Sequence, residues 1–400
     1  MMATSNPNPS LTSLPVTAGP GLLVLLASMP PDQLGQILAN LASSFSVDSL
    51  VVATPDAFPS DSFPNLEVIS VPSTDSSWTL TAADFVSAYQ LAGKNEAHAI
   101  LILGPGAGSL SPFALRGLAD AVLSGHTDLA IPHYDLPPNS GLVNSAILYP
   151  LSRTLFASRA RFPLALDLGL SLRMAGGLSS VAQRFTTLNR SETPVWPVNE
   201  AAVNGFTINE VAVGPRVMSH TNEPDLNTIL PMVAGSLFAD IEAKAAFWQR
   251  ARQAPPAFNP ITAEHAPSSD VTAEIAPMLQ AFRLAFTNLQ EIWSLVLPPN
   301  TLLGLKRLYS TPDTAAFRMP DNLWARIVFD FLLAYRLRTI NRGHLLGALI
   351  PLYLAWAASH INITASGTPA ERHIDAVAAA FEIEKPYLVS RWRWPDRFNP

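Results

Sequence analysis

The sequence predicts an α/β protein, a mostly parallel sheet covered by helices, followed by a second domain built of helices alone. Three observations predict it. Short apolar runs bounded by Pro, Gly and Asp alternate with helix-periodic stretches as far as Pro132. From Asn227 onward only helical periodicity remains. The chain has 400 residues, 48% hydrophobic and only 14% charged, so it can bury a large core.

The elements follow in order. Gly21 to Met29 is a buried-strand run ended by Pro30-Pro31, and Asp32 to Ser44 carries Leu34, Ile37, Leu38 and Leu41 at helical spacing. Ser49 to Ala53 and Leu66 to Val71 are strand-like. Thr81 to Gly93 reads as a helix with Thr79 or Thr81 as its cap. His98 to Leu103 is a strand, followed by the turn Gly104-Pro105-Gly106-Ala107-Gly108, a helix over Pro112 to Leu123 and a strand over Leu129 to Pro132. Beyond a change of pattern near residue 225, helices are predicted over Asn227 to Arg252, Asp270 to Leu297, Asn322 to Arg338, His344 to His360 and Thr368 to Phe381. A Pro-rich linker, Gln253 to Pro267, interrupts them. The expected organisation is a disordered leader over 1–20, an α/β domain over 21–225, a helical domain over 226–390 and a tail over 391–400. No internal repeat is present, and nothing in the pattern speaks to oligomeric state.

Composition removes several function classes. Zero cysteine excludes disulfide scaffolds, Cys-ligated zinc, iron–sulfur clusters and thiol nucleophiles. A net charge of −6 offers no basic footprint for nucleic acid. Met1 to Pro20 lacks the basic residues that open a signal peptide. The apolar run Leu345 to Ala358, interrupted by Pro351, falls short of the ~20 residues that span a bilayer. It reads as a buried helix, in a cytoplasmic protein with no transmembrane segment. The charge is also uneven. Before Lys94 there is no Lys or Arg, while Asp32, Asp48, Asp56, Asp61, Glu67, Asp75 and Asp84 give that stretch −7. A phosphate site in the first quarter would therefore rest on backbone.

The turn Gly104–Gly108 lies between a strand and a helix, which suits a phosphate cradle, but its spacing is G-x-G-x-G and no acidic residue ends the next strand. A loop made flexible by Gly and Pro is the other reading. His133-Tyr134-Asp135 follows a strand, at the end where open α/β sheets hold ligands, or lies in a surface loop. Asp167 is a lone carboxylate within the apolar segment Phe162 to Leu170, a candidate base or substrate anchor, or else a cap for the next helix. His220 lacks a second ligand at metal spacing. In Arg391-Trp392-Arg393-Trp394, packing of Trp on the α/β domain with Arg stacking is expected.

Several stretches in order resemble a known family: Gly141 to Leu155 with Tyr149-Pro150-Leu151-Ser152-Arg153, Arg159-Ala160-Arg161-Phe162-Pro163, Asp167-Leu168-Gly169, Val213-Gly214-Pro215-Arg216-Val217, Gly235-Ser236-Leu237-Phe238, Leu349 to Leu354, and Phe381 to Trp392. Together they resemble bacterial family 2-type glycosyltransferases related to mannosylglycerate and glucosyl-3-phosphoglycerate synthases. The resemblance implies a GT-A fold with a mostly parallel sheet sandwiched by helices. It implies as partners a nucleotide sugar, bound by the α/β half, and a small acceptor that receives the hexose. It also implies a divalent Mg²⁺ or Mn²⁺ at an Asp-x-Asp motif, where this chain has Gly104-Pro105-Gly106. A Gly-Lys-Gly is missing near Trp78-Thr79-Leu80, a Trp-x-x-Asp is present as Trp196-Pro197-Val198-Asn199, and a metal-site His falls on Met218, with His220 two residues on. Asp167 alone remains at an acidic position of the family. Losing Asp-x-Asp removes the cation that offsets the leaving diphosphate, and Arg153, Arg161, Arg216 or a helix N-terminus would take over.

The residues expected at the site are therefore Asp167 for proton transfer or acceptor binding and Gly104, Gly106, Asn199, Arg153 and Arg216 for the donor. His220 would serve only if a metal is retained. The leading reading is a hexosyltransferase working without the Asp-x-Asp metal. The second is an inactive homologue that binds or scaffolds.

Overall fold

The computed structural model describes residues 21–46, 49–57, 63, 66–72, 78–216, 225–250 and 275–395. The leader over 1–20, the linker Gln253–Pro267 and His220 lie outside the described residues.

Among the described residues seven strands form one sheet: β1 (Leu22–Leu26), β2 (Leu50–Thr54), β3 (Glu67–Ser70), β4 (Ala99–Leu103), β5 (Leu129–Asp135), β6 (Asp167–Ser171) and β7 (Ile208–Pro215). Their order is β3-β2-β1-β4-β6-β5-β7, and only β6 runs antiparallel to its neighbours. Strands β1, β2 and β4 are buried along their whole length, because helices cover both faces. On one face lie α1 (Pro31–Ser44) and α3 (Pro112–Leu123). On the other lie α2 (Ala82–Lys94), α5 (Leu172–Thr186) and α6 (Pro197–Asn204), while α4 (Tyr149–Phe156) leaves the sheet for the helical half. The sandwich of helices around a mostly parallel sheet agrees with the expected class.

Local chemistry sets the helix starts. The Asp84 carboxylate accepts from Thr81 N and Oγ1 at 2.7 and 2.9 Å, closing the first turn of α2. Ser111 accepts from Ala114 N ahead of α3, and Ser171 from Met174 N ahead of α5. Ser171 thus takes the capping role that one reading gave to Asp167, which instead opens β6. Strand β5 runs on through His133, Tyr134 and Asp135, so these are strand residues and not a loop after the strand.

The second half contains α7 (Leu226–Ala243), α8 (Ala245–Trp248), α9 (Ile275–Asn288), α10 (Gln290–Val296), α11 (Pro299–Tyr309), α12 (Asp321–Leu337), α13 (Arg342–Ala365) and α14 (Ala370–Arg393). Two single helices of the sequence reading are each broken, at Lys244 and at Leu289. The last helix was expected to end near Phe381 but continues through Pro386. Leu388 and Trp392 beyond the proline are buried, so tertiary packing overrides the lost backbone bond. Trp392 packs edge-on against Trp248 at 4.9 Å with the Arg336 guanidinium 4.2 Å over its ring, inside the helical half and not on the sheet. Helix α13 has 24 residues and is long and apolar enough to cross a membrane by length and composition, more than the sequence run suggested. Yet 72% of its most apolar window is buried within the protein.

Among the described residues there are two large apolar cores. One surrounds the sheet. The other joins the C-terminal helices to residues 146–156 and Trp196, so a segment from the middle of the α/β half is built into the helical half.

Candidate functional site

Parallel strands β1, β2, β4, β5 and β7 all point their C-terminal ends to one edge, where open sheets gather ligands. Antiparallel β6 delivers its first residue to that same edge. Its register sets Asp167 opposite Leu103, next to Gly104. The turn after β4 is tightly packed. A Cβ on Gly104 would stand 2.8 Å from the Leu166 carbonyl oxygen, and Gly106 has φ +80°, the left-handed region. Both glycines therefore have backbone reasons to be there, and the turn is neither slack nor an open cradle.

Three groups converge on the Asp167 carboxylate through four hydrogen bonds. Gly104 N donates to its Oδ1 at 3.1 Å and the Tyr134 hydroxyl to its Oδ2 at 2.8 Å. Arg216 grips it with both arms, Nε to Oδ2 at 2.9 Å and Nη2 to Oδ1 at 3.2 Å. The same Nη2 donates to the Pro105 carbonyl at 2.7 Å. Both charged side chains are 0% exposed. The β5–β7 register slips between His133 and Tyr134, and bulges re-aim side chains; Tyr134 lies just past the slip. Burial raises the Tyr134 phenol well above 10, with the Asp167 charge adding to it. Burial works against the Arg216 charge, but the Asp167 carboxylate outweighs it and the guanidinium is held more firmly charged than usual.

This arrangement does not fit a divalent cation. Gly104-Pro105-Gly106 supplies no carboxylate, both oxygens of Asp167 are taken, and a guanidinium already stands against them. Among the described residues no three His, Asp or Glu side chains gather as metal ligands. The fixed cation here is Arg216.

A second polar tie lies on the same edge. Asp56, after β2, accepts from Ser28 Oγ and Met29 N, both at 2.8 Å. Nothing in the local sequence marked this pair; it forms because β1 and β2 are neighbours.

The other expected residues lie elsewhere. Arg153 is clamped at the α4–α14 contact by Glu382 (Nε–Oε1 3.1 Å, Nη2–Oε2 3.0 Å) and by Asp375 at 3.0 Å. Arg161 pairs with Glu371 at 3.0 Å and lies 5.1 Å from the ring centres of both Tyr149 and Phe162. Asn199 is fully buried, accepting from Ser152 at 3.0 Å and donating to Asp240 at 2.9 Å, in a knot between α4, α6 and α7. His133 pairs with Glu210 at 3.2 Å, which raises its pKa. The structure therefore brings together Gly104, Asp167 and Arg216, adds Tyr134, and leaves Arg153 and Asn199 in the contacts that join the two halves.

No protein-family model matches the chain, and no curated protein matches it. Among solved structures it is similar to glucosyl-3-phosphoglycerate synthase from Mycobacterium tuberculosis. With Mn²⁺, uridine diphosphate and glucosyl-3-phosphoglycerate bound, that structure is 15% identical over 60% of this chain and 86% of the other, at a TM-score of 0.37. With Mn²⁺, uridine-diphosphate-glucose and phosphoglyceric acid bound, it is 15% identical over 56% and 80%, at a TM-score of 0.37. A further mycobacterial protein is 16% identical over 56% and 76%, at a TM-score of 0.35.

Proposed function

We propose that the edge around Asp167 takes a nucleotide sugar and a small acceptor, and that the chain is a glycosyltransferase that works without a divalent cation. One observation carries the reading. The buried Asp167–Arg216 pair stands beside Gly104-Pro105-Gly106, where the family resemblance places the metal-binding acids. In this reading Arg216 supplies the fixed positive charge that a cation supplies elsewhere, and a preorganised charge needs no rearrangement when the leaving group departs. Asp167 acts through Arg216. With Gly104 N, Tyr134 and Arg216 on its two oxygens, it positions the guanidinium and is not a free base. The scarcity of cations before Lys94 agrees with a donor site whose charge compensation comes from a distant part of the chain.

Calorimetric titration with uridine- and guanosine-diphosphate sugars tests this, in EDTA and in Mn²⁺. The expected result is binding of equal strength in both, lost in Arg216→Met. Binding only with Mn²⁺, or no binding of any nucleotide sugar, overturns it.

A further inference from the structure

A second buried polar cluster lies away from the Asp167 edge. His360 Nδ1, on α13, is 2.7 Å from His373 Nδ1, on α14. His373 Nε2 is 3.2 Å from Asp321 Oδ1 in the first turn of α12, and His360 Nε2 is 3.3 Å from the Pro138 carbonyl in the loop that leaves β5. Both rings stack with Trp356, at 5.3 and 6.2 Å, and both histidines are buried. The chain Asp321–His373–His360–Pro138 thus links three helices of the helical half to the loop following Tyr134.

The donors can be counted. The Pro138 oxygen only accepts, so His360 Nε2 must carry a proton. One proton, and only one, lies between the two Nδ1 atoms. If Asp321 is ionised, His373 Nε2 must also carry one. Three protons on four ring nitrogens is one more than two neutral imidazoles hold. If Asp321 holds the third proton instead, the total is the same. All three contacts therefore form only while the cluster keeps one extra proton. Burial, then the neighbouring His373, depresses the His360 pKa to about 4, so His360 is the ring that stays neutral. The other charges acting on His360 are Arg161, which disfavours its protonation, and Glu371, which favours it.

We propose that this His–His–Asp relay is a proton-dependent tie that holds the Pro138 loop to the helical domain, beside the strand that carries Tyr134. Loss of the shared proton leaves two lone pairs facing one contact. With the Asp321 link kept, one proton is left for two contacts, so either the Pro138 contact breaks or the His–His link behind it does, and in both cases the loop loses its tie to α12 and α14. Gain of a second proton sets two N–H groups head to head between α13 and α14. The tie holds between these limits. It stands whether or not the edge around Asp167 binds a nucleotide sugar.

The discriminating variant is Asp321→Asn. An amide N–H donates to His373 Nε2, His373 Nδ1–H then donates to His360, and all three contacts form with no extra proton. The measurement is imidazole ¹⁵N NMR of the full chain across pH 5 to 9, together with exchange of the Ser140 amide, which donates to Pro137 O in the same loop. In the wild type one ring should stay neutral with its proton on Nε2 while its partner is doubly protonated. Ser140 exchange, corrected for intrinsic rates, should quicken about tenfold as that proton leaves, the effect of one hydrogen bond. In Asp321→Asn both rings should be neutral, with their protons on different nitrogens, and the quickening should vanish. His360→Phe, assigned in parallel, has no donor for the Pro138 carbonyl and should give the fast rate at every pH. Two independently titrating rings, or a Ser140 profile unchanged by Asp321→Asn, overturns the proposal.

Discussion

Asp167 and Arg216 are 49 residues apart, and neither means much without the other. Asp167 was conspicuous in the sequence because a carboxylate inside an apolar run must find partners. The partners were not conspicuous. Tyr134 is an ordinary residue near a strand end, and Arg216 was one of three arginines with equal claim. Their union gives a direct prediction. Arg216→Met leaves a fully buried carboxylate with no counter-charge, which should cost about 3–5 kcal/mol in urea unfolding. The double variant Asp167→Leu/Arg216→Met should cost less than the two single changes added together, since neither charge is then stranded. Additive losses would contradict the pairing. Gly104 carries a similar lesson. The sequence singled it out for a ligand, whereas the approach of Leu166 already accounts for it.

At the scale of the element, legibility depended on whether the pattern was local. Helices α2 and α3 and strands β2 and β4 were found within a residue, and β1 within three, because periodicity, caps and bounding prolines all act within one turn or one strand. Strands β6 and β7 and helices α4, α5, α6 and α11 were missed. β6 reads Asp-Leu-Gly-Leu-Ser, with only two apolar side chains, and β7 is the sheet's mostly exposed edge, so pairing and not composition defines them. Asp128 shows how such short elements are held. Its carboxylate, at the start of β5, accepts from Ser171 at the end of β6, from Arg173 in α5 and from Thr207 just before β7, at 2.6–3.2 Å. Burial opposes its ionisation, but these donors outweigh burial and lower its pKa to about 2. A carboxylate with a depressed folded-state pKa adds stability that is complete above its ordinary 3.8 and lost as pH falls toward 2. Asp128→Asn should therefore flatten the acid limb of the stability curve between about pH 4 and 2. An acid limb identical to the wild type would show that the clip adds nothing.

At the scale of the whole molecule, the two large cores among the described residues meet along α14. Glu371, Asp375 and Glu382 lie on one stripe of that helix and meet Arg161 and Arg153, while Lys385 donates to the Thr154 carbonyl at 2.9 Å. Burial alone would weaken the Arg153 charge; Glu382 and Tyr149 outweigh it, so the guanidinium is held more firmly than usual. Arg153 and Arg161, two of the three arginines expected to meet a diphosphate, pair with carboxylates of α14. Glu382→Ala should uncover a nearly buried guanidinium whose remaining carboxylate partner is the more exposed Asp375. We expect a loss of about 2–4 kcal/mol, read by hydrogen exchange as early loss of protection in α14 while β1 and β4 keep theirs. Uniform loss across both halves would contradict a seam.

The sequence by itself determined the class of the fold, the helical second half and the one carboxylate that had to be paired, because each is dictated by the near neighbours of a residue and the apolarity around it. Only the tertiary structure decided which cation meets that carboxylate, which arginines became glue and which histidines share a proton. Those outcomes follow from strand order and helix packing, which bring together groups tens to hundreds of residues apart, and no pattern along the chain records that distance.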